Sequence, residues 1–274
     1  MTYVILNGQI LPKEKALISP EDRGFRFGDG VFETIRITGG KLYLGQDHLV
    51  RLIHGLQKLQ IAFSTDTLLP LASELTKKNN VKEGILRIAI SRGEGSRGYL
   101  PLAEKPTCYM TAASMPETEP SARQLIVSTY RRTPPESLPS TVKHANGLNS
   151  ILARLEAEAS QVDDAIMLSG KGYVSETSSA NLFWQKNEHI YTPALSTGCL
   201  NGIMRQRFMS LISGIIECEA TLEECLAADA IVMTNSAYYV LPVKSIESRH
   251  IDSIALAKKW RSVIKDDIAC WTGN

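Results

Sequence analysis

The chain has 274 residues, 43% hydrophobic and 22% charged, enough for one large domain or two modest ones around a real core. Lys and Arg number 30 against 29 Asp and Glu, and the formal charge of +1 provides no global field to recruit nucleic acid or an anionic membrane. No apolar run reaches the roughly 18–20 residues of a membrane span, and no signal-peptide pattern opens the chain, so secretion and membrane embedding are not expected and a cytoplasmic protein is.

Tyr3–Leu6 predicts a short strand turning at Asn7-Gly8. Residues 31–38 (VFETIRIT) predict a second, and Gly39-Gly40 before residues 41–44 is a hairpin signal. Asp47 is the expected N-cap of an amphipathic helix with Leu49, Leu52, Ile53, Leu56 and Leu59 at helical spacing. A helix over 66–78 and strands over 85–91 and 108–113 follow. Residues 114–121 are polar, with two prolines and no periodicity, and give the expected linker. The domains are then 1–115, a linker at 116–122, and a larger C-terminal domain over 123–274 that carries Lys143. In that domain the pattern predicts a strand over 125–129, a proline-containing loop over 131–143 and a helix over 149–159. Strands over 165–168 and 181–184, helices over 203–212 and 222–228, a strand over 230–234 and a helix from Ile254 complete it. Mixed strands and helices in both halves imply two α/β (α+β) domains with a cleft between them.

The five cysteines, Cys108, Cys199, Cys218, Cys225 and Cys270, are odd in number and scattered. They predict reduced thiols rather than a disulfide framework or zinc knuckle. The five histidines make no metal-ligand spacing, and no G-x-S-x-G elbow, H-E-x-x-H helix or P-loop is present. Gly93-Glu94-Gly95-Ser96-Arg97-Gly98 reads G-x-G-x-x-G after a predicted strand, but a dinucleotide site needs a helix to open there. Pro101 and Pro106 deny one, so the segment predicts a flexible loop carrying Arg92 and Arg97 near a small anion. Lys143 follows the Thr133-Pro134-Pro135 loop and precedes a helix. A lysine is ordinarily a solvated surface group, yet it condenses with carbonyl cofactors when burial lowers its pKa. Residues 198–205 (GCLNGIMR) place a glycine turn before a helix, where free N–H groups suit a phosphate or an ordinary cap. Glu176 is a carboxylate among small residues, and by itself a loop acid.

Three segments in order, Lys143-His144-x-Asn146, Glu176-x-x-x-Ala180-Asn181-Leu182-Phe183 and Asn201-Gly202-Ile203-x-Arg205, resemble the fold-type IV pyridoxal-phosphate enzymes. That family holds branched-chain and D-amino-acid aminotransferases and 4-amino-4-deoxychorismate lyases. Arg23-Gly24-Phe25-Arg26-Phe27-Gly28-Asp29-Gly30-Val31-Phe32-Glu33 and His48-Leu49-Val50-Arg51-Leu52 agree, so the resemblance runs from about Tyr3 to Val243. It implies a two-domain architecture like that of the D-amino-acid aminotransferases, and a homodimer with the active site near the subunit interface. It implies that Lys143 is catalytic and carries pyridoxal 5'-phosphate covalently, that Glu176 pairs with the protonated pyridine nitrogen, and that Arg51 grips the phosphate. The Ile203 and Met204 amides and Ser236 would complete the phosphate cradle.

Ile90-Ser91-Arg92-Gly93-x-Gly95-x-Arg97-Gly98-Tyr99 is similar to the glycine- and arginine-rich loop of the lyases, as are Lys143-His144-x-Asn146 and Ala180-Asn181-Leu182-Phe183-Trp184. D-amino-acid aminotransferases usually carry a tyrosine where this chain has Phe32, whereas Gly147 departs from the arginine of many lyases. The resemblance therefore implies a lyase forming 4-aminobenzoate and pyruvate in folate biosynthesis, with a D-amino-acid or branched-chain aminotransferase as the alternative. Arg97 and Arg92 would meet substrate carboxylates, Thr34 would line the pocket, and Lys143 would be anchor, base and acid in turn. A non-catalytic relative that binds a small anion fits poorly with Lys143, Glu176 and Arg51 all intact.

Overall fold

Period-two alternation in the N-terminal strands, with one apolar face, demands a helical layer on that face only. The computed structural model describes residues 2–95, 97–101, 105–115 and 121–271, and most of the expected linker lies outside them. The described residues fall into two compact units. One takes the residues up to 115 together with Val142–Asn146, the other residues 121–141 and 147–271.

In the first unit β1 (Tyr3–Leu6) and β2 (Gln9–Pro12) form a hairpin through Asn7 and Gly8, and α1 (Arg23–Phe27) leads into β3 (Gly30–Thr38). Then come β4 (Lys41–Leu42), α2 (Gly45–Lys58), α3 (Leu68–Lys78), β5 (Gly84–Glu94) and β6 (Lys105–Ser114). Among the described residues the six strands pair antiparallel in the order β2-β1-β6-β5-β3-β4. Val31, Ile35 and Ile37 of β3 pack with Leu52 and Leu56 of α2 in the core, while Phe32 and Thr34 stay half-buried on the opposite face. Asp47 is not the N-cap that the sequence predicts. Helix α2 starts three residues earlier than that, after Leu44 at φ 54°, which leaves Asp47 in the first turn beside the positive end of the helix dipole.

The backbone of 142–146 belongs to this unit, not to the C-terminal one as the sequence suggests. β4 pairs only with Ile37 and Thr38, so the first residues of β3 have an open edge. There Phe32 N–H donates to the Lys143 carbonyl at 3.0 Å and Ala145 N–H to that of Gly30 at 2.9 Å. Asn146 Nδ2 adds a bond to the Gly28 carbonyl at 2.8 Å. Pairing of donors and acceptors along an edge strand thus fixes the lysine segment.

β5 runs three residues beyond its expected end, so Gly93 of the glycine motif is a strand residue, with φ +79°. A Cβ there would lie 1.7 Å from the Lys105 carbonyl oxygen. Gly93→Ala should therefore cost about 2–3 kcal/mol, measurable by urea unfolding.

The second unit runs β7 (Arg123–Val127), α4 (Leu148–Ala159), β8 (Asp164–Leu168), β9 (Val174–Thr177), β10 (Asn181–Lys186) and β11 (His189–Pro193). After these come α5 (Ile203–Leu211), β12 (Ile215–Cys218), α6 (Leu222–Leu226), β13 (Ala230–Asn235), β14 (Tyr239–Ile246), β15 (Arg249–His250) and α7 (Ile254–Cys270). Its described strands follow the order β12-β11-β10-β13-β14-β7-β8-β9, with β15 on β14. Asn181 opposite Glu176 also pairs β10 with β9, which closes β10, β13, β14, β7, β8 and β9 into a ring. Leu182, Ile231 and Val243 are buried in its core. No helix of the described residues is long and apolar enough to cross a membrane. The five cysteines are free, and burial pushes the Cys108 and Cys225 thiols up to about 12 and that of Cys199 to about 11.

Candidate active site

On the half-buried face of the first sheet the Lys143 amine sits 4.5 Å from the centroid of the Phe32 ring. The guanidinium of Arg87 lies 4.8 Å from the same centroid, so one aromatic ring gathers an amine and a permanent cation. Thr34 pairs directly across from Arg87, and Ala89 separates Phe32 from Tyr109 in the next row. Side chains of directly opposed residues share a face, which brings Phe32, Thr34, Arg87 and Lys143 together. Arg87 went unnoticed in the sequence. Its signal was a single charge in the otherwise apolar run ILRIAI.

The two loop arginines separate. Arg97 is exposed, and the next two residues are held by buried Arg23, whose Nη1 and Nη2 donate to the Gly98 and Tyr99 carbonyls at 2.8 and 2.9 Å. Arg92 is not a loop residue but lies within β5, only 7% exposed. Its Nε bonds Asp29 at 2.8 Å, and its Nη1 and Nη2 donate to the Gln60 and Leu59 carbonyls at the end of α2. Those donors face protein, so Arg92 shapes the loop rather than meeting a substrate carboxylate as the resemblance implies.

Arg51 lies on α2 against Glu33, with Nε 2.7 Å from Oε1 and Nη2 2.7 Å from Oε2. His48 Nδ1 is 2.6 Å from Oε2 of the same carboxylate. Burial pushes Glu33 up, but the hydrogen bonds and charges of Arg51 and His48 outweigh it and lower its pKa to about 2. Burial depresses His48 below the ordinary histidine value; the hydrogen bond and charge of Glu33 oppose this and the charges of Arg51 and Lys143 add to it, and the net direction is down, toward the neutral imidazole at neutral pH. Glu33 thus contributes stability that is complete above the ordinary carboxylate pKa and is lost as pH falls through about 2. Urea unfolding free energy should accordingly fall between pH 4.5 and 2, and fall less in Glu33→Gln.

In the second unit Glu176 lies within buried β9 rather than in a loop. The four residues VSET are buried without alternation, which hid the strand from a periodicity reading. Oε2 of Glu176 accepts from Asn181 Nδ2 and from the Leu200 amide, both at 3.1 Å. Oε1 meets Nε of Arg132 at 3.0 Å, in a pair only 13% and 9% exposed. Arg132 lies on the proline-containing loop, far from Glu176 in sequence, and no spacing signalled it. The turn after Glu176 is held by buried Asp164, which accepts from the Thr177 and Ser179 hydroxyls at 3.0 Å each. Across the sheet Asn181 faces Thr234, so Glu176, Asn181 and Thr234 form one row on one face.

Helix α5 begins at Ile203 after Gly202, and no side chain caps it. A Cβ on Gly202 would lie 2.1 Å from Asn181 Oδ1, so only glycine lets this helix start come so close to that row. Ser236 sits in the turn just after β13, where Asn235 Oδ1 accepts from the Ala237 and Tyr238 amides.

Residues 30–246 match the model of the amino-transferase class IV family. The chain belongs to that family, the fold-type IV pyridoxal-phosphate enzymes, and its cofactor is pyridoxal 5'-phosphate. It is 34% identical to the aminodeoxychorismate lyase of Bacillus subtilis, over 90% of this chain and 87% of that one. It is 30% identical to the D-alanine aminotransferase of Bacillus licheniformis, over 99% of both. Among solved structures it is similar to a T.th. branched-chain amino acid aminotransferase with pyridoxamine 5'-phosphate, at TM-score 0.89 and 27% identity over 97% and 94% of the two chains.

The side chains fit this cofactor. An uncapped helix start presents amides at its positive end, as a phosphate requires. Beside it the Thr234 hydroxyl is buried and has no hydrogen-bond partner among the described residues.

Proposed function

We propose that the chain is a lyase converting 4-amino-4-deoxychorismate to 4-aminobenzoate and pyruvate in folate biosynthesis, as a cytoplasmic homodimer. The observation that carries the reading is the loop of Arg97, exposed beside two carbonyls that Arg23 pins. Relatives named as lyases support it. The substrate carries an amine and two carboxylates, and the first unit offers an amine at Lys143 with cations at Arg87 and Arg97. The second reading, an aminotransferase on D-amino or branched-chain acids, draws on the same Lys143–Phe32–Arg87 cluster, which also suits an amino-acid carboxylate.

Bound pyridoxal phosphate supplies an aldehyde that condenses with amines and a ring that takes up the electron pair left by C–H cleavage. Lys143 would hold the cofactor; its Nζ would take the proton from substrate C4 as the ring carbon–oxygen bond to the enolpyruvyl group breaks, and would deliver that proton to the departing enolpyruvate, which leaves as pyruvate while the ring becomes aromatic. Glu176 would pair with the protonated pyridine nitrogen, and Arg132, 3.0 Å from its Oε1, aims the carboxylate. Arg51 in the first unit and Ile203, Met204 and Ser236 in the second would bind the phosphate, and Thr34 and Phe32 would line the substrate side.

The test is a product assay on the cofactor-loaded protein. Freshly generated aminodeoxychorismate should yield 4-aminobenzoate with equimolar pyruvate and need no 2-oxo acid. Glutamate from D-alanine or leucine with 2-oxoglutarate, without 4-aminobenzoate, would establish the aminotransferase instead. In the lyase, Arg97→Ala should raise KM about tenfold with little change in kcat, the pattern of a group that grips substrate and transition state alike.

A further inference from the structure

The cluster of Glu33, His48 and Arg51 is buried on the core face of β3, where its neighbours Val31, Ile35 and Ile37 are aliphatic. The Glu33 side chain is 1% exposed, His48 2% and Arg51 9%. A buried ion pair is commonly no more stabilising than a well-packed apolar set of the same volume. Folding alone therefore does not require this cluster.

What the cluster provides is orientation. His48 and Arg51 are three residues apart on α2 and share a face, so one carboxylate on β3 receives both. The Nε and Nη2 of Arg51 meet the two carboxylate oxygens as a fork, which fixes the guanidinium plane as well as its position. A neutral His48 donates to Oε2 and keeps the carboxylate from rotating about its own axis.

We infer that Glu33, supported by His48, is a positioning residue that holds the Arg51 guanidinium in the orientation that grips the cofactor phosphate. The inference rests on the reading that Arg51 is a phosphate ligand. Without the fork, the long arginine side chain must be ordered at the moment of binding, and that ordering weakens the complex. Glu33 also offsets part of the arginine charge, so its removal has an opposing effect. Loss of orientation outweighs that gain in charge.

The experiment titrates apo-protein with pyridoxal phosphate and, separately, with pyridoxal, which lacks the phosphate, following absorbance. Glu33→Gln should weaken pyridoxal phosphate by about tenfold or more, the range of outer-shell orienting groups, and leave pyridoxal unchanged. Arg51→Gln should lower the same selectivity, and the double variant should add little to it. Selectivity kept by Arg51→Gln would sink the phosphate reading and the inference together. Selectivity lost in Arg51→Gln but kept or increased in Glu33→Gln would overturn the inference alone. Thermal unfolding of each apo-variant checks the fold. Should Glu33→Gln not fold, His48→Gln keeps the ion pair and should show a smaller loss of selectivity. No loss there would also overturn it.

Discussion

Lys143→Ala should lower turnover by about 10⁴-fold or more and remove the visible absorbance of covalently held cofactor. The size follows from one amine having three tasks, namely attachment of the cofactor, removal of a proton and its return. The fold should be unaffected, because the segment is fastened through its backbone, by Phe32 N–H on the Lys143 carbonyl and Ala145 N–H on that of Gly30. The side chain itself adds a contact with the half-buried Phe32 ring, worth about 1 kcal/mol. Steady-state rates, the absorbance spectrum and urea unfolding on the same preparation check all three statements. Loss of activity with an unchanged spectrum would move the cofactor to another lysine.

Glu176→Gln should cost both stability and rate. The substitution keeps the shape and the bond from the Leu200 amide but removes the charge beside Arg132, whose side chain is 13% exposed. An uncompensated buried cation costs about 3 kcal/mol or more. The amide also cannot hold a proton on the pyridine nitrogen, and turnover should fall about 10²–10⁴-fold. Coupling separates the two effects. Arg132→Met combined with Glu176→Gln removes both charges and should regain part of the stability, while turnover stays low. A double variant that recovered turnover would show that Arg132, rather than the charge of Glu176, sets the rate.

Much of the fold was legible because α2, α3 and the strands of the first sheet carry one-sided patterns. Lys143, Glu176 and the helix start at Ile203 were legible only as ordered motifs. None of them stands out by composition, and a lone lysine before a helix is usually solvated. The partners that give these residues their settings were not legible. Arg132 reaches Glu176, and Thr234 stands beside Asn181, because the sheet closes on itself and joins segments tens of residues apart. Arg92 misled for a related reason. Adjacent to the glycine motif it reads as a loop cation, yet β5 continues through it and its donors go to Asp29 and the end of α2. Lys143 was expected in the second domain because sequence continuity hid the open edge of β3.

The most direct test of the account is chemical. The cofactor-loaded protein is treated with borohydride, which makes the link to pyridoxal phosphate irreversible, then digested and mapped by mass spectrometry. A single phosphopyridoxyl group on the peptide containing Lys143 is the predicted result. The modification on any other lysine, or on none, would contradict the assignment from which every role proposed for Glu176, Arg51 and the α5 helix start follows.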